Sequence, residues 1–242
     1  MQGKFTYLLV DLLCIAFPLV FSFLPQIKFY RQWRFFVLPC LITAVFFLVW
    51  DVLFTLAGIW GFNPAYVMGI YFFGLPLEEY LFFICIPYAC VFTYYSVVKL
   101  LGLPAFHKSA IYLSWFFIIF LVIAGLSQLA RLYTSITFIS LSFFLLFVLY
   151  KKVSFLPSFY VAFAIILIPF FVANGILTGT GPDAPVVFYN NHYNSGIRML
   201  TIPFEDTFYG MLLMLMNVTG FEFLLNKNKD KQGNVEGISM AN

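Results

Sequence analysis

The feature that most constrains this chain is a series of apolar runs too long and too uniformly greasy for a soluble fold. Seven stretches carry few charges, at about residues 5–24, 35–56, 77–100, 111–131, 134–151, 157–177 and 203–225. A hydrocarbon layer about 30 Å thick takes about 20 helical residues to cross. Backbone polar groups in lipid must be satisfied within the segment, so such runs fold as helices. The composition agrees: 63% of residues are hydrophobic, 10% are charged and mean hydropathy is +0.97, where a soluble domain carries roughly 25% charged residues. The chain reads as an all-α integral membrane protein with seven transmembrane helices.

Lysine and arginine set the expected orientation, because cytoplasmic loops are enriched in them. Lys28, Arg31, Arg34, Lys99, Lys108, Lys151, Lys152, Lys227, Lys229 and Lys231 fall on one side, and Lys4, Arg131 and Arg198 on the other. This predicts a multi-pass plasma-membrane protein with its N-terminus outside and its C-terminus in the cytoplasm. The polar tail 227–242 is expected to be cytoplasmic, and the chain from Asn226 onward disordered. Segment 1 lacks the cleavage features of a removable signal and is expected to be retained. The formal charge of +3 comes with no basic patch, so the expected partner is the bilayer and not nucleic acid. Cys14, Cys40, Cys85 and Cys90 lie in apolar runs without CxxC spacing and read as reduced packing residues. His107 and His192 stand singly in loops, and no metal site is expected. The oligomeric state is left open.

Two segments say nearly the same thing. Gly69-Ile70 leads through five residues to Pro76-Leu77-Glu78-Glu79, and Gly196-Ile197 leads at the same spacing to Pro203-Phe204-Glu205-Asp206. Each acidic pair opens an apolar run. Upstream, Asp51 and Asn174 each stand four residues before a threonine, Thr55 and Thr178. Asp51 precedes Pro76 by 25 residues and Asn174 precedes Pro203 by 29, so the second copy carries a longer loop. The expected organisation is two parallel three-helix repeats, 1–102 and 132–226, joined by a linking helix in 103–131.

Lipid penalises carboxylates by roughly 2.5–3.5 kcal/mol each at a helix centre. Asp11, Asp51, Glu78, Glu79, Glu205, Asp206 and Glu222 nevertheless sit in or beside apolar runs, and Arg198 is the one cation near the second pair. Proline followed by acids also starts a helix well, so a single copy is equally a cap. Two copies at one spacing favour use. Asp51 and Asn174 read as supporting polar groups or as helix ties; Asp11 and Glu222 are weaker candidates. Adjacent carboxyls in a low dielectric repel, so one of each pair is expected to hold a proton at neutrality. That form is a Brønsted acid. Trp50, Trp60, Tyr66, Tyr80, Phe82, Phe83, Phe208 and Tyr209 lie near the pairs in sequence, and aromatic faces stabilise cations. A GxGxxG after a strand, a P-loop and a DDxxD pattern are absent, which argues against dinucleotide chemistry and prenyl transfer.

Pro76-Leu77-Glu78-Glu79-Tyr80-Leu81-Phe82-Phe83 resembles the PxEE signature of the heterodimeric-type carotenoid (lycopene) cyclases. Pro203-Phe204-Glu205-Asp206-Thr207-Phe208-Tyr209-Gly210-Met211, with Asn217 and Phe221-Glu222, resembles that of the partner subunit. Trp50-Asp51 and Gly58-Ile59-Trp60-Gly61-Phe62-Asn63-Pro64 are also similar to the first subunit. The likeness is to the fused form, in which an extra helix joins the two subunits; it spans nearly the whole chain except the tail. One departure is Phe221, where a tyrosine is expected. The resemblance implies a lycopene β-cyclase that closes rings at the acyclic ends of lycopene or a related carotenoid by protonation, without flavin or nicotinamide. The expected catalytic residues are Glu78, Glu79, Glu205 and Asp206, supported by Asp51, Asn174 and Arg198. The expected substrate-binding residues are Trp50, Trp60, Tyr80, Phe82, Phe208 and Tyr209. A carotenoid hydratase, and a transporter or proton channel, remain as alternatives.

Overall fold

The computed structural model describes residues 3–102 and 107–239, those after 228 as backbone alone. Among the described residues it has seven α-helices: α1 (Thr6–Phe21), α2 (Trp33–Leu56), α3 (Leu77–Leu101), α4 (His107–Ser127), α5 (Leu132–Tyr150), α6 (Leu156–Leu177) and α7 (Phe204–Ser239). Six are long and apolar enough to cross a bilayer. The exception is α1, whose 16 residues span about 24 Å at 1.5 Å per residue. The run 5–24 overstates it, because Pro25 disfavours helical geometry just before itself. The C-terminal expectation also changes. Helix α7 continues to Ser239 instead of dissolving at Asn226. Extending an existing helix adds one hydrogen bond per residue, and Lys, Gln and Glu suit it. Residues 240–242 of the expected tail, and 103–106 at the expected repeat boundary, lie outside the described residues.

The connections at one end of the bundle are not purely helical. Strands β1 (Trp60–Phe62) and β4 (Val187–Tyr189) pair antiparallel, with Trp60 opposite Tyr189. The short pairs β2 (Tyr71–Phe72) with β3 (Leu75–Pro76), and β5 (Arg198–Met199) with β6 (Ile202–Pro203), form two small hairpins. These ladders satisfy backbone groups that a buried loop would otherwise leave unpaired. Both copies of the sequence motif lie in them. Gly69 and Gly196 have φ of +89° and +75°, which is why each copy starts on glycine. The chain then folds back, so that Leu77 N–H donates to Ile70 O and Phe204 N–H to Ile197 O. Proline ends each return strand, and the helix starts at the next residue.

The internal repeat is exact enough to duplicate individual hydrogen bonds. Tyr7 N–H donates to Tyr66 O, and Tyr133 N–H to Tyr193 O. Asn63 N–H donates across to Val186 O (2.8 Å), and Asn190 N–H back across to Ile59 O (2.9 Å). Helices α2 and α7 pack together, as do α6 and α3. Helix α1 flanks α3, α5 flanks α7, and α4 lies on α5 and α6. The outer faces are greasy: Leu13, Phe17, Phe116, Ile123, Ile168 and Val172 are all exposed. Apolar surface on this scale meets lipid, not water. The fold is that of a multi-pass membrane protein.

Candidate active site

Each motif delivers two acids to the first turn of a helix, with different surroundings. Pro76 caps α3 in an extended conformation (φ −67°, ψ 154°), and Glu78 and Glu79 follow in the first turn. Successive helical residues point about 100° apart. Glu78 therefore turns back into its own loop, where Oε1 accepts the Met68 N–H at 2.6 Å. Its counterpart Glu205 accepts the Ser195 N–H at 2.6 Å and the Thr134 hydroxyl at 2.5 Å. Both are fully buried. The second acid of each pair, Glu79 and Asp206, faces a shared cavity of about 370 Å³.

The two cavity acids keep different company. Glu79 Oε2 accepts the Tyr7 hydroxyl at 2.5 Å. The Glu79 carboxyl is also in hydrogen-bonding contact with that of Asp51, whose Oδ1 accepts the Tyr209 hydroxyl at 2.7 Å. Across the cavity, Asp206 accepts three bonds: Tyr133 O–H at 2.6 Å, Asn174 Nδ2–H at 2.9 Å and Tyr189 O–H at 2.9 Å. Tyr189, on β4, is pushed well above the usual phenol range by burial and then by the Asp206 carboxylate, so it stays a donor. None of these carboxylates receives a hydrogen bond from lysine or arginine among the described residues.

Aromatic rings fill the space between the acids. The Trp60 ring centroid is 5.1 Å from Tyr133, 6.1 Å from Tyr189 and 6.2 Å from Tyr209. Away from the acids the cavity is apolar, walled by Phe82, Ile86, Cys90, Phe163, Phe170 and Leu213. It follows α3 from Glu79 to Thr93, about 20 Å of helix.

Of the residues singled out in the sequence, Asp51, Glu79, Asn174, Asp206, Trp60, Phe82 and Tyr209 line this one cavity. Glu78 and Glu205 lie behind it, in the first turns of α3 and α7 with their carboxyls turned into the motif loops. Three expected substrate contacts, Trp50, Tyr80 and Phe208, are not among the residues that line the cavity. Tyr80 turns outward, its hydroxyl donating to Phe72 O. Phe208 packs between Phe138 and Phe204, 5.1 Å from each. Trp50 stacks on Phe47 at 5.9 Å. Arg198 binds Thr201 O and Asn191 Oδ1 instead of the acids beside it. Glu222 accepts the Tyr94 hydroxyl elsewhere in the bundle. Asp11 is fully buried off the cavity, with neither oxygen partnered among the described residues. Sequence reasoning missed Tyr7, Tyr133 and Tyr189. A tyrosine in the first turn of both α1 and α5 was the available signal for the first two.

A duplicated membrane bundle that brings carboxyls and aromatic rings to the end of a greasy cavity defines a class: a multi-pass membrane protein with an acid-headed apolar pocket. A family model described as lycopene cyclase matches residues 4–97 and 130–224, one segment for each copy of the repeat. The chain belongs to the lycopene cyclase family and is a carotenoid cyclase embedded in the membrane. Comparison with curated proteins and with solved structures returns no match.

Proposed function

We propose that the protein is a lycopene β-cyclase in which the cavity carboxyls give and take the proton. A carboxylic acid protonates C2 of the acyclic end, leaving a cation at C1. The C5–C6 double bond attacks C1, which forms the C1–C6 bond and moves the cation to C5. A carboxylate then removes the C6 proton, and the C5–C6 double bond of a β-ring forms. One proton enters and one leaves, with no change of oxidation state. Trp60 and the surrounding tyrosines face the passing cation with their rings. In this reading 1–102 and 132–226 are parallel three-helix units joined by the helix of 103–131, giving seven spans. The protein sits in the plasma membrane with its N-terminus outside and 227–242 in the cytoplasm.

The observation that carries the reading is the convergence of Glu79, Asp51 and Asp206 on one apolar cavity. The test is expression in lycopene-accumulating cells, with chromatography of the pigments. β-Rings are expected from the natural sequence and a severe loss from Glu79→Gln and from Asp206→Asn. A tertiary alcohol from the natural sequence would make it a hydratase, and unchanged lycopene would end the proposal.

A further inference from the structure

We infer that Asp51 is a working member of the site: it and Glu79 share the proton that opens the reaction, and Asp206 takes the proton that closes it. This deepens the cyclase reading and rests on it. An ionised carboxyl only accepts hydrogen bonds, so two carboxyls in hydrogen-bonding contact need a proton between them. Glu79 and Asp51 are in such contact, and each also accepts one tyrosine hydroxyl, from Tyr7 and Tyr209. Asp206 has the opposite surroundings. Its neighbours Tyr133, Asn174 and Tyr189 all donate to it. Three converging donors suit a carboxylate that waits for a proton.

The repeat supplies its own control. Asn174 occupies in the second copy the place of Asp51 in the first, four residues before a threonine. Each reaches the second acid of its own motif. In one copy the contact is acid to acid and holds a proton; in the other it is amide N–H to carboxylate and does not. One side-chain difference makes one half-site the donor and the other the acceptor.

The step balances. Before reaction the Asp51–Glu79 pair carries one proton and Asp206 none. Transfer to C2 leaves the pair doubly anionic beside the substrate cation. Loss of the C6 proton to Asp206 neutralises Asp206 and closes the ring. One proton must then pass from Asp206 back to the pair, directly or through water, before the next ring end.

The experiment compares the pigments made by Asp51→Asn, Asp206→Asn and Asp51→Asn/Asn174→Asp in lycopene-accumulating cells, with membrane abundance and detergent gel filtration of each. Asp51→Asn gives both halves the same polar contact and should leave lycopene unreacted, with ring formation down about 100-fold or more. Asp206→Asn keeps the donor, so the cation still forms but loses its proton elsewhere. The expected products carry a C4–C5 double bond, an exocyclic methylene or a tertiary alcohol. The double variant moves the acid–acid contact to the second copy and should recover part of the lost activity, which repair of folding alone would not do. Ring formation by Asp51→Asn at the natural rate overturns the inference. So does the reverse pattern, with altered rings from Asp51→Asn and untouched lycopene from Asp206→Asn. A well-folded double variant no better than Asp51→Asn also overturns it. If the natural sequence forms no ring, the cyclase reading itself has failed.

Discussion

Adjacent residues in the motif do different work, and single substitutions can separate them. Glu78 is a tie: its fully buried carboxyl holds the Met68 N–H of the motif loop at 2.6 Å. Glu78→Gln should weaken that bond at a cost of about 1–3 kcal/mol, lowering the unfolding temperature in detergent while ring formation persists. Glu79→Gln should do the reverse, with pigment conversion lost and the melt little changed. Thermal unfolding followed by fluorescence, beside pigment chromatography, checks both. The twin acids were legible in the sequence because spacing is a one-dimensional property. Their division of labour was not, because it depends on which way each side chain leaves the helix. The same geometry explains which of the expected aromatics line the cavity. Phe82 and Tyr209 follow Glu79 and Asp206 by three positions and share their helix face. Tyr80 and Phe208 follow by one and two, which turns them away from the cavity. Closeness in sequence was a poor substitute for helical phase.

At the scale of the elements, the bundle depends on close approach between α2 and α7. A Cβ built on Gly220 would stand 2.7 Å from Cβ of Pro39, a ring fixed to its own backbone. Small residues at such crossings let helices in lipid pack tightly. Gly220→Val should push α7 away from α2 at a cost of about 1–3 kcal/mol, read as a drop of several degrees in the unfolding temperature in detergent. Helix positions were readable from the sequence because lipid demands long apolar runs. The ends were less so. Composition alone could not reveal that α1 stops at Phe21, or that the polar stretch after Asn226 prolongs α7. The three small ladders were also hidden, since two- and three-residue strands leave no periodic signature.

For the whole molecule, the repeat is symmetrical in its backbone and unsymmetrical in its contents. Matching Asp51 with Asn174 matches Trp50 with Ala173 and Phe47 with Phe170. Phe170 and Ala173 border the cavity on α6. On α2 the corresponding space is filled by Trp50, stacked on Phe47 and 5.6 Å from the Tyr209 ring. Ala173→Trp should plug the cavity in the same way, abolishing pigment conversion without lowering membrane abundance; conversion by a well-expressed Ala173→Trp variant would contradict this. The duplication was legible from the motifs, whereas the loss of symmetry required knowing which rings occupy which space. The β1–β4 ladder carries a last consequence. It joins Trp60 to Tyr189, and each half completes the other's cap through Asn63 and Asn190. Neither cap closes until the chain beyond Asn190 has left the ribosome. Glu79 and Asp206 therefore come to face one cavity only once α7 has joined α3 in the bilayer.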